Sequence, residues 1–147
     1  MTGARETTPD QQLAERVVQG MLARDEFSRW LGLEVIELGP ARCRCRMSVR
    51  DEMVNGFGVA HGAVAYALAD SALAFASNTQ GRIALSIENG ISYPSAVQPG
   101  DTLSALATEE SASYRLAFYL VRVTNQRDEL VALFRGTVYR TSEEHPA

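Results

Sequence analysis

Residues 61–77 read HGAVAYALADSALAFAS, and this stretch decides the fold of the chain. Apart from Asp70 it contains no acidic residue, Arg or Lys, and it is rich in Ala and Leu. This composition predicts a long helix that is apolar on nearly every side and therefore buried. Asp is a poor mid-helix residue, and a buried, unpaired carboxylate costs on the order of a few kcal/mol. The sequence therefore indicates a functional Asp70. A structural carboxylate, hydrogen-bonded to backbone or to Ser71, is the alternative.

The length and composition limit the class of protein. A chain of 147 residues with 46% hydrophobic content is expected to form a single domain, 1–147, with a proper core. We expect residues of about 9–140 to be ordered and both termini, 1–8 and 141–147, to be flexible. The net charge of −4 and the lack of a basic run interleaved with aromatics argue against a nucleic-acid partner.

All fourteen basic residues are Arg, so Schiff-base chemistry and a P-loop lysine are excluded. The two cysteines, Cys43 and Cys45, are predicted to share one face of a strand as small core residues, in a poor geometry for a mutual disulfide. The chain has only two histidines, His61 and His145, and the second lies in the polar tail. The sequence therefore predicts no metal site.

The first residues lack the apolar core of a signal peptide. No apolar run approaches 18 residues without a polar break, because Asp70 interrupts the longest one. We therefore expect a cytoplasmic protein with no membrane partner.

The rest of the chain predicts one further helix and six strands. Thr8-Pro9-Asp10 is a helix-start signal, and the apolar residues that follow recur on one helical face until the pattern weakens at about residue 30. Alternating or β-branched runs predict strands at about 33–38, 41–49, 83–93, 102–111, 114–125 and 130–140. Several connections have hairpin length, so the sequence predicts an α+β fold with a largely antiparallel sheet wrapped around the central helix. The run 114–125 is apolar on both faces, which suggests the helix on one side and a partner chain on the other.

The start of the central helix offers a second functional group. Gly62 lies at the helix N-terminus, where backbone N–H groups are free and the helix dipole favours negative charge, as on a developing oxyanion. Nine residues separate His61 from Asp70, which is about 13.5 Å of helix. The two cannot pair within one chain. A two-fold dimer could bring the N-terminus of one helix to the middle of its mate.

At this point the residues carry a resemblance. Residues 55–76, NGFGVAHGAVAYALADSALAFA, resemble the core motif of hotdog-fold acyl-CoA thioesterases and are most similar to the phenylacetate-degradation group. The segments DEMVNG at 51–56 and VALFRG at 131–136 agree, so the resemblance covers about residues 13–140. It implies a hotdog fold with an extra N-terminal helix. It also implies a homodimer or homotetramer that hydrolyses acyl-CoA with no cofactor beyond the coenzyme A of the substrate.

The resemblance also implies a role for each site residue. Asp70 corresponds to the catalytic carboxylate, acting across a dimer interface as general base or nucleophile, and the Gly62 N–H to the donor that holds the thioester oxygen. Asn55 corresponds to a side chain that orients water or the thioester. His61 corresponds to the residue that shapes the turn before the donor, and Ser86 to a polar pocket residue. A thiolate leaves readily, because a thiol pKa is about 8.5, so little further catalytic machinery is needed.

Two departures from the family pattern bear on the pocket. Ala63 stands at a substrate-binding position that is usually Gly in the family. Residues 86–95, SIENGISYPS, lack the Phe-Leu-Arg-Pro run that is common after the third strand, and the middle of the segment is unexpectedly polar at Glu88, Asn89 and Gly90. These departures predict that the acyl pocket and the coenzyme A contacts differ from those of phenylacetyl-specific members.

Non-catalytic interpretations remain open at several positions. Asn55-Gly56 is also a plain turn signal. The face formed by Arg42, Arg44 and Arg46 is either solvated or in contact with coenzyme A phosphates. At the level of function, the rivals are a non-catalytic acyl-CoA-binding hotdog protein and a hotdog hydratase or dehydratase.

Overall fold

The computed structural model describes residues 7–147, so the predicted flexible segment 1–8 lies outside it except for Thr7 and Thr8. Within the described part, the elements follow one another as two short helices, a hairpin, a long helix and four more strands. They are α1 (Pro9–Leu22), α2 (Glu26–Leu31), β1 (Glu34–Gly39), β2 (Arg42–Ser48), a 3-10 turn (Asp51–Met53), α3 (Gly62–Asn78), β3 (Arg82–Ser92), β4 (Thr102–Ala112), β5 (Leu116–Thr124) and β6 (Leu130–Glu144).

The six strands form one antiparallel sheet in the order β1-β2-β4-β5-β6-β3. Helix α3 packs against five of them, β2 to β6, and its apolar side chains interdigitate with the inward-facing residues of the sheet. This confirms the predicted α+β architecture, a sheet wrapped around one central helix. Strand β3 lies at the edge of the sheet, with β6 as its only neighbour among the described strands.

The N-terminal helix begins where the sequence predicts. Thr8 caps α1, since its Oγ1 accepts a hydrogen bond from the Gln11 N–H at 3.2 Å, and Pro9 takes the first turn. Near residue 30, where the apolar pattern weakens, the chain forms a separate short helix, α2. Asp25 caps it, and Gly32 ends it with a φ of 78°.

The first hairpin separates a buried face from a charged one. Cys43 and Cys45 are fully buried free thiols whose sulfurs lie 3.6 Å apart. On the other face, the arginines of β2 pair with glutamates of β1, at 3.0 to 3.2 Å from Glu37 and at 3.1 Å from Glu34. The arginine face is therefore an ion-paired surface.

Helix α3 is less completely buried than its composition predicts. Its sheet-facing side carries the fully buried core residues, including Leu68, Leu73 and Phe75. Gly62, Tyr66 and Asp70 follow one another at intervals of four residues and are only half-buried in the single chain. One stripe of this apolar helix thus stays accessible. No helix within residues 7–147 is both long and apolar enough to cross a bilayer.

The C-terminal segment is ordered further than predicted. Strand β6 continues to Glu144 rather than ending near residue 140, and Glu144 pairs with Arg82 at the start of β3. The Arg82 guanidinium donates to the carbonyls of Thr141 and Arg140, both at 2.9 Å. The polar residues at the end of β6 form a strand because their backbone pairs with the start of the edge strand β3.

Candidate active site

The Gly62 N–H at the start of α3 is free within the described chain. His61 caps the helix: its Nδ1 accepts the Ala63 N–H at 3.0 Å, and its carbonyl accepts the Val64 N–H at 2.9 Å. His61 itself is anchored by its own N–H, which donates to the Met53 carbonyl at 2.8 Å. Across residues 7–147, the Gly62 N–H has no acceptor within hydrogen-bonding distance. The helix N-terminus therefore presents this donor to a ligand, while His61 holds the turn with its ring.

The loop before the helix is built around Asn55. The Asn55 Oδ1 accepts the Phe57 N–H at 2.8 Å, and the Asn55 backbone N–H donates to the Val59 carbonyl at 2.7 Å. The side-chain oxygen thus makes an Asx turn, whereas the side-chain NH₂ has no partner within the described chain. Phe57, in the same loop, is 91% exposed, because the turn projects it outward.

Tyr93, at the end of β3, contacts the helix start. Its Oη donates to the Gly62 carbonyl at 2.8 Å, and a Cβ at position 62 would lie 3.2 Å from that Oη. Burial, together with the nearby Tyr66, raises the pKa of Tyr93. Both Gly62 and Tyr93 line a groove of about 330 Å³, along with His61, Ala65 and the segment 94–97. Ala63 is exposed, and its N–H is occupied by His61.

Asp70 lies in the middle of α3 and is half-buried. Burial raises the pKa of its carboxyl group, and a hydrogen bond from Asn89 acts in the opposite direction. The donor is the Asn89 Nδ2, which lies 3.4 Å from the Asp70 Oδ1. No Arg or His of residues 7–147 lies within 4 Å of this carboxylate. Asp70 is therefore a half-buried carboxylate with no cationic partner among residues 7–147.

Asn89 links Asp70 to two further polar residues. Its Nδ2 also donates to the Tyr66 Oη at 3.1 Å, and its Oδ1 accepts the Ser86 hydroxyl at 2.8 Å. Ser86, predicted as a pocket residue, is exposed and reaches Asp70 only through Asn89. Asn89 lines a second groove, of about 700 Å³, formed by residues of β3, β4, β5 and β6.

The predicted site residues fall into two separate groups. Asn55, His61, Gly62 and Ala63 lie together at the start of α3, whereas Asp70 lies with Ser86 and Asn89. The Gly62 N–H and the Asp70 carboxylate are about 12 Å apart along the helix, so one chain does not bring them together. The sequence did not single out Tyr66, Tyr93 or Asn89 as site residues. The only signal for Asn89 was its unusual polarity. No cluster of three His, Cys, Asp or Glu residues in the range 7–147 is arranged to hold a metal ion.

Comparison with known proteins shows which family the chain belongs to. Residues 57–132 match the family model described as "Thioesterase superfamily". The chain belongs to the thioesterase superfamily. It is 37% identical over 140 residues to a putative esterase of Archaeoglobus fulgidus, covering 95% of this chain and 91% of that protein. It is 32% identical over 120 residues to acyl-coenzyme A thioesterase PaaI of Escherichia coli K12, covering 82% and 86%.

The solved structures agree with this membership of the thioesterase superfamily. The E. coli PaaI structure superposes with a TM-score of 0.88 at 30% identity, over 90% of this chain and 96% of that one. By sequence, acyl-coenzyme A thioesterase 13 of Homo sapiens is 30% identical over 135 residues, covering 89% of this chain and 96% of that protein. These matches confirm the predicted family, the hotdog fold and the predicted enzyme class, a thioester hydrolase.

Proposed function

We propose that this protein is an acyl-CoA thioesterase, which hydrolyses an acyl- or aryl-acyl-CoA to the free acid and coenzyme A. The observation that carries the proposal is the Asp70 carboxylate, which is half-buried, has no cationic partner in the described chain and lies on the accessible stripe of α3. Two of the relatives described above are named acyl-coenzyme A thioesterases, which supports the same substrate class. The reaction needs no cofactor beyond the coenzyme A of the substrate.

In this proposal, each half of the site has one chemical task. Asp70 activates a water molecule or attacks the thioester carbonyl itself, and its raised pKa makes it a stronger base while it stays ionised. The Gly62 N–H, assisted by the dipole of α3, stabilises the oxyanion that develops on the thioester oxygen. The unpaired NH₂ of Asn55 orients the thioester or the water. His61 keeps the Gly62 donor in place and transfers no proton.

The two halves meet in a homodimer. Since about 12 Å of helix separates Gly62 from Asp70 in one chain, the oxyanion donor of each site must come from the other chain. The edge strand β3 supports an interface on this side of the molecule, because Leu85 and Ile87 are 58% and 59% exposed there. We propose further that two dimers form a tetramer, for which the exposed Phe118 on β5 offers apolar surface.

The lining of the larger groove bears on the acyl group of the substrate. The polar Glu88, Asn89 and Gly90 line the 700 Å³ groove, together with Phe118 and Leu120. Such a mixed lining supports a substrate other than phenylacetyl-CoA. We place the enzyme in the cytoplasm, where coenzyme A thioesters are made and consumed.

The decisive experiment is free-thiol release from a panel of acyl-CoA thioesters: arylacetyl, benzoyl, and short to long alkyl. The panel is run with the parent protein and with Asp70→Asn. Release that depends on Asp70 is the expected result. Binding of acyl-CoA with no release by a folded dimer would replace this proposal with the acyl-CoA-binding alternative. An absorbance change on a crotonyl-type thioester without thiol release would favour the hydratase.

A further inference from the structure

The orientation of the Asn89 side chain is fixed by what surrounds it. An ionised carboxylate can only accept hydrogen bonds, so the amide must turn its Nδ2 toward Asp70. The two hydrogens of that nitrogen then serve Asp70 Oδ1 at 3.4 Å and Tyr66 Oη at 3.1 Å. The amide oxygen faces the other way and accepts the Ser86 hydroxyl at 2.8 Å. The reverse orientation would place the amide oxygen against the carboxylate.

The backbone is shaped to bring Asn89 to this position. In a regular strand, residues three apart point to opposite faces of the sheet. The pairing of β3 with β6 shifts register between Ser86 and Glu88, and this bulge lets Ser86 and Asn89 meet on one side. On β6, Gly136 is the register partner of Asn89, and a Cβ at position 136 would lie 2.9 Å from the Asn89 Oδ1 and would clash with Leu73. A bulge and a glycine thus make room for this one amide.

Within the described chain, few other groups interact with the Asp70 carboxylate. Asn89 is the only side chain of residues 7–147 that donates a hydrogen bond to its carboxylate. Tyr66, on the same helix, is the titratable group that shares this donor, and Tyr93 lies next to Tyr66. The charged neighbours along the two strands, Glu88 and Arg135, are exposed and make no ion pair with Asp70.

We propose that Asn89 is the positioning residue for the Asp70 carboxylate, holding Oδ1 so that Oδ2 is left to take the proton of water or to attack the thioester. This inference rests on the proposed function of Asp70. Ser86 supports this positioning role, because its hydroxyl donates to the Asn89 amide oxygen and so keeps the amide from rotating by 180°. Asn89 itself stays off the reacting atoms, so its loss acts through the orientation and the ionisation of Asp70.

The kinetic test is Asn89→Leu, which keeps the side-chain volume and removes the donor. We expect kcat to fall roughly 10- to 100-fold with KM nearly unchanged, as a lost hydrogen bond to a charged group predicts. The acidic limb of the kcat/KM profile moves to higher pH, because the donor no longer stabilises the ionised form. A folded Asn89→Leu protein with the kcat and pH profile of the parent would overturn the proposal.

Two further variants separate positioning from general damage. Ser86→Ala removes only the hydroxyl that anchors the amide, so it should lower kcat in the same direction by a few-fold and keep the fold even if Asn89→Leu does not. Ser92→Ala is the matched control, since Ser92 is exposed on the same strand and outside the network. Its activity and pH profile should match those of the parent. An effect of Ser92→Ala as large as that of Ser86→Ala would overturn the assignment of the network.

A direct titration does not depend on turnover. The Asp70 carboxylate is followed by 13C NMR in protein labelled on Asp, with Asp70→Asn to assign the resonance. The pKa of Asp70 should rise in Asn89→Leu and in Ser86→Ala and stay constant in Ser92→Ala. An unchanged pKa in both network variants rules out the Asn89 role even if the enzyme is active. A shifted pKa in a protein that releases no thiol would instead place the failure in the proposed function.

Discussion

The two halves of the candidate site are built by different means. At the start of α3, the Gly62 donor is held by residues close in sequence: His61 caps the helix and accepts the Ala63 N–H. In the middle of α3, Asp70 is oriented by Asn89, which lies nineteen residues away on a bulged edge strand. The cap that frees the Gly62 donor is a property of local sequence. The Asp70 half exists only once the sheet has formed.

The difference shows what each half can tolerate. A backbone donor is lost only when its N–H is removed, so most substitutions around Gly62 should leave the chemistry in place. A carboxylate held by one amide is sensitive to any change that moves or removes that amide. The Asp70 half should therefore respond more strongly to substitutions at distant positions than the Gly62 half.

The largest effect is expected for Asp70→Asn, which removes the base or nucleophile and keeps the shape. Thiol release should fall by roughly 10²- to 10⁴-fold, the usual range for loss of a general base. Asp128→Asn is the matched control, because Asp128 lies in the β5–β6 turn with a φ of 59° that Asn also adopts. Retained turnover in folded Asp70→Asn would remove Asp70 from the chemistry.

The Gly62 half is tested by a pair of substitutions. Gly62→Pro deletes the N–H at the first helical position, where proline is accepted, and the ψ of 138° at His61 suits a residue before proline. Gly62→Ala adds the same Cβ against Tyr93 and keeps the donor. We expect turnover to drop roughly 100-fold or more in Gly62→Pro, as for a lost oxyanion donor, and far less in Gly62→Ala. Equal losses in the two variants would mean that crowding, not the donor, is responsible.

Mixing the two inactive variants tests whether the halves come from different chains. A heterodimer of Asp70→Asn and Gly62→Pro has one site with both groups intact and one site with neither. Random exchange of subunits should therefore restore about a quarter of the parental activity. No recovery in a mixture shown by mass spectrometry to contain heterodimers would contradict a site shared between subunits.

A smaller effect concerns stability and its dependence on pH. Burial raises the pKa of Asp70 in the folded protein, so the native state favours the protonated form and ionisation costs it stability. That cost is absent below the ordinary Asp pKa of about 3.9 and complete above the raised value. Asp70→Asn should therefore melt at a higher temperature than the parent at neutral pH, and the gap should close as the pH falls below about 4. Differential scanning calorimetry across that range would show a constant gap if the prediction is wrong.

The smallest effect is expected for Tyr93→Phe. This change removes the hydrogen bond to the Gly62 carbonyl and keeps the ring. Because Tyr93 is 49% exposed, water can replace the lost donor, and we expect a loss in kcat of only a few-fold. A loss as large as that of Gly62→Pro, measured on the same substrate, would assign Tyr93 a direct part in the reaction.

The sequence predicts the local features of this molecule well and the non-local ones poorly. The helix start at Thr8, the alternation around Cys43 and the long apolar helix all follow from periods and caps, and the structure has each of them. The proposed role of Asp70 also rests on local sequence, because a lone charge in an apolar helix is visible without any tertiary contact. These features depend on neighbours within a few residues.

Asn89 shows why the rest was missed. Regular alternation along β3 sets Asn89 apart from Ser86, and only the bulge at residues 86–88 brings them together. The predicted end of β6 near residue 140 was wrong for a related reason. Polar residues continue the strand to Glu144 only because Arg82 lies opposite. Both errors come from strand pairing, which no local pattern specifies.

The spacing along α3 has one more consequence. In the proposed dimer, Gly62 of one chain faces Asp70 of its partner, and Tyr66 is the residue midway between these two positions. Antiparallel helices related by a two-fold axis then place Tyr66 on that axis, next to its own copy. Every change at this position is made twice at one point in space and lies one helical turn from each reacting centre. A single substitution of Tyr66 should thus alter both active sites at once. Sequence variation at this position therefore changes the two sites together.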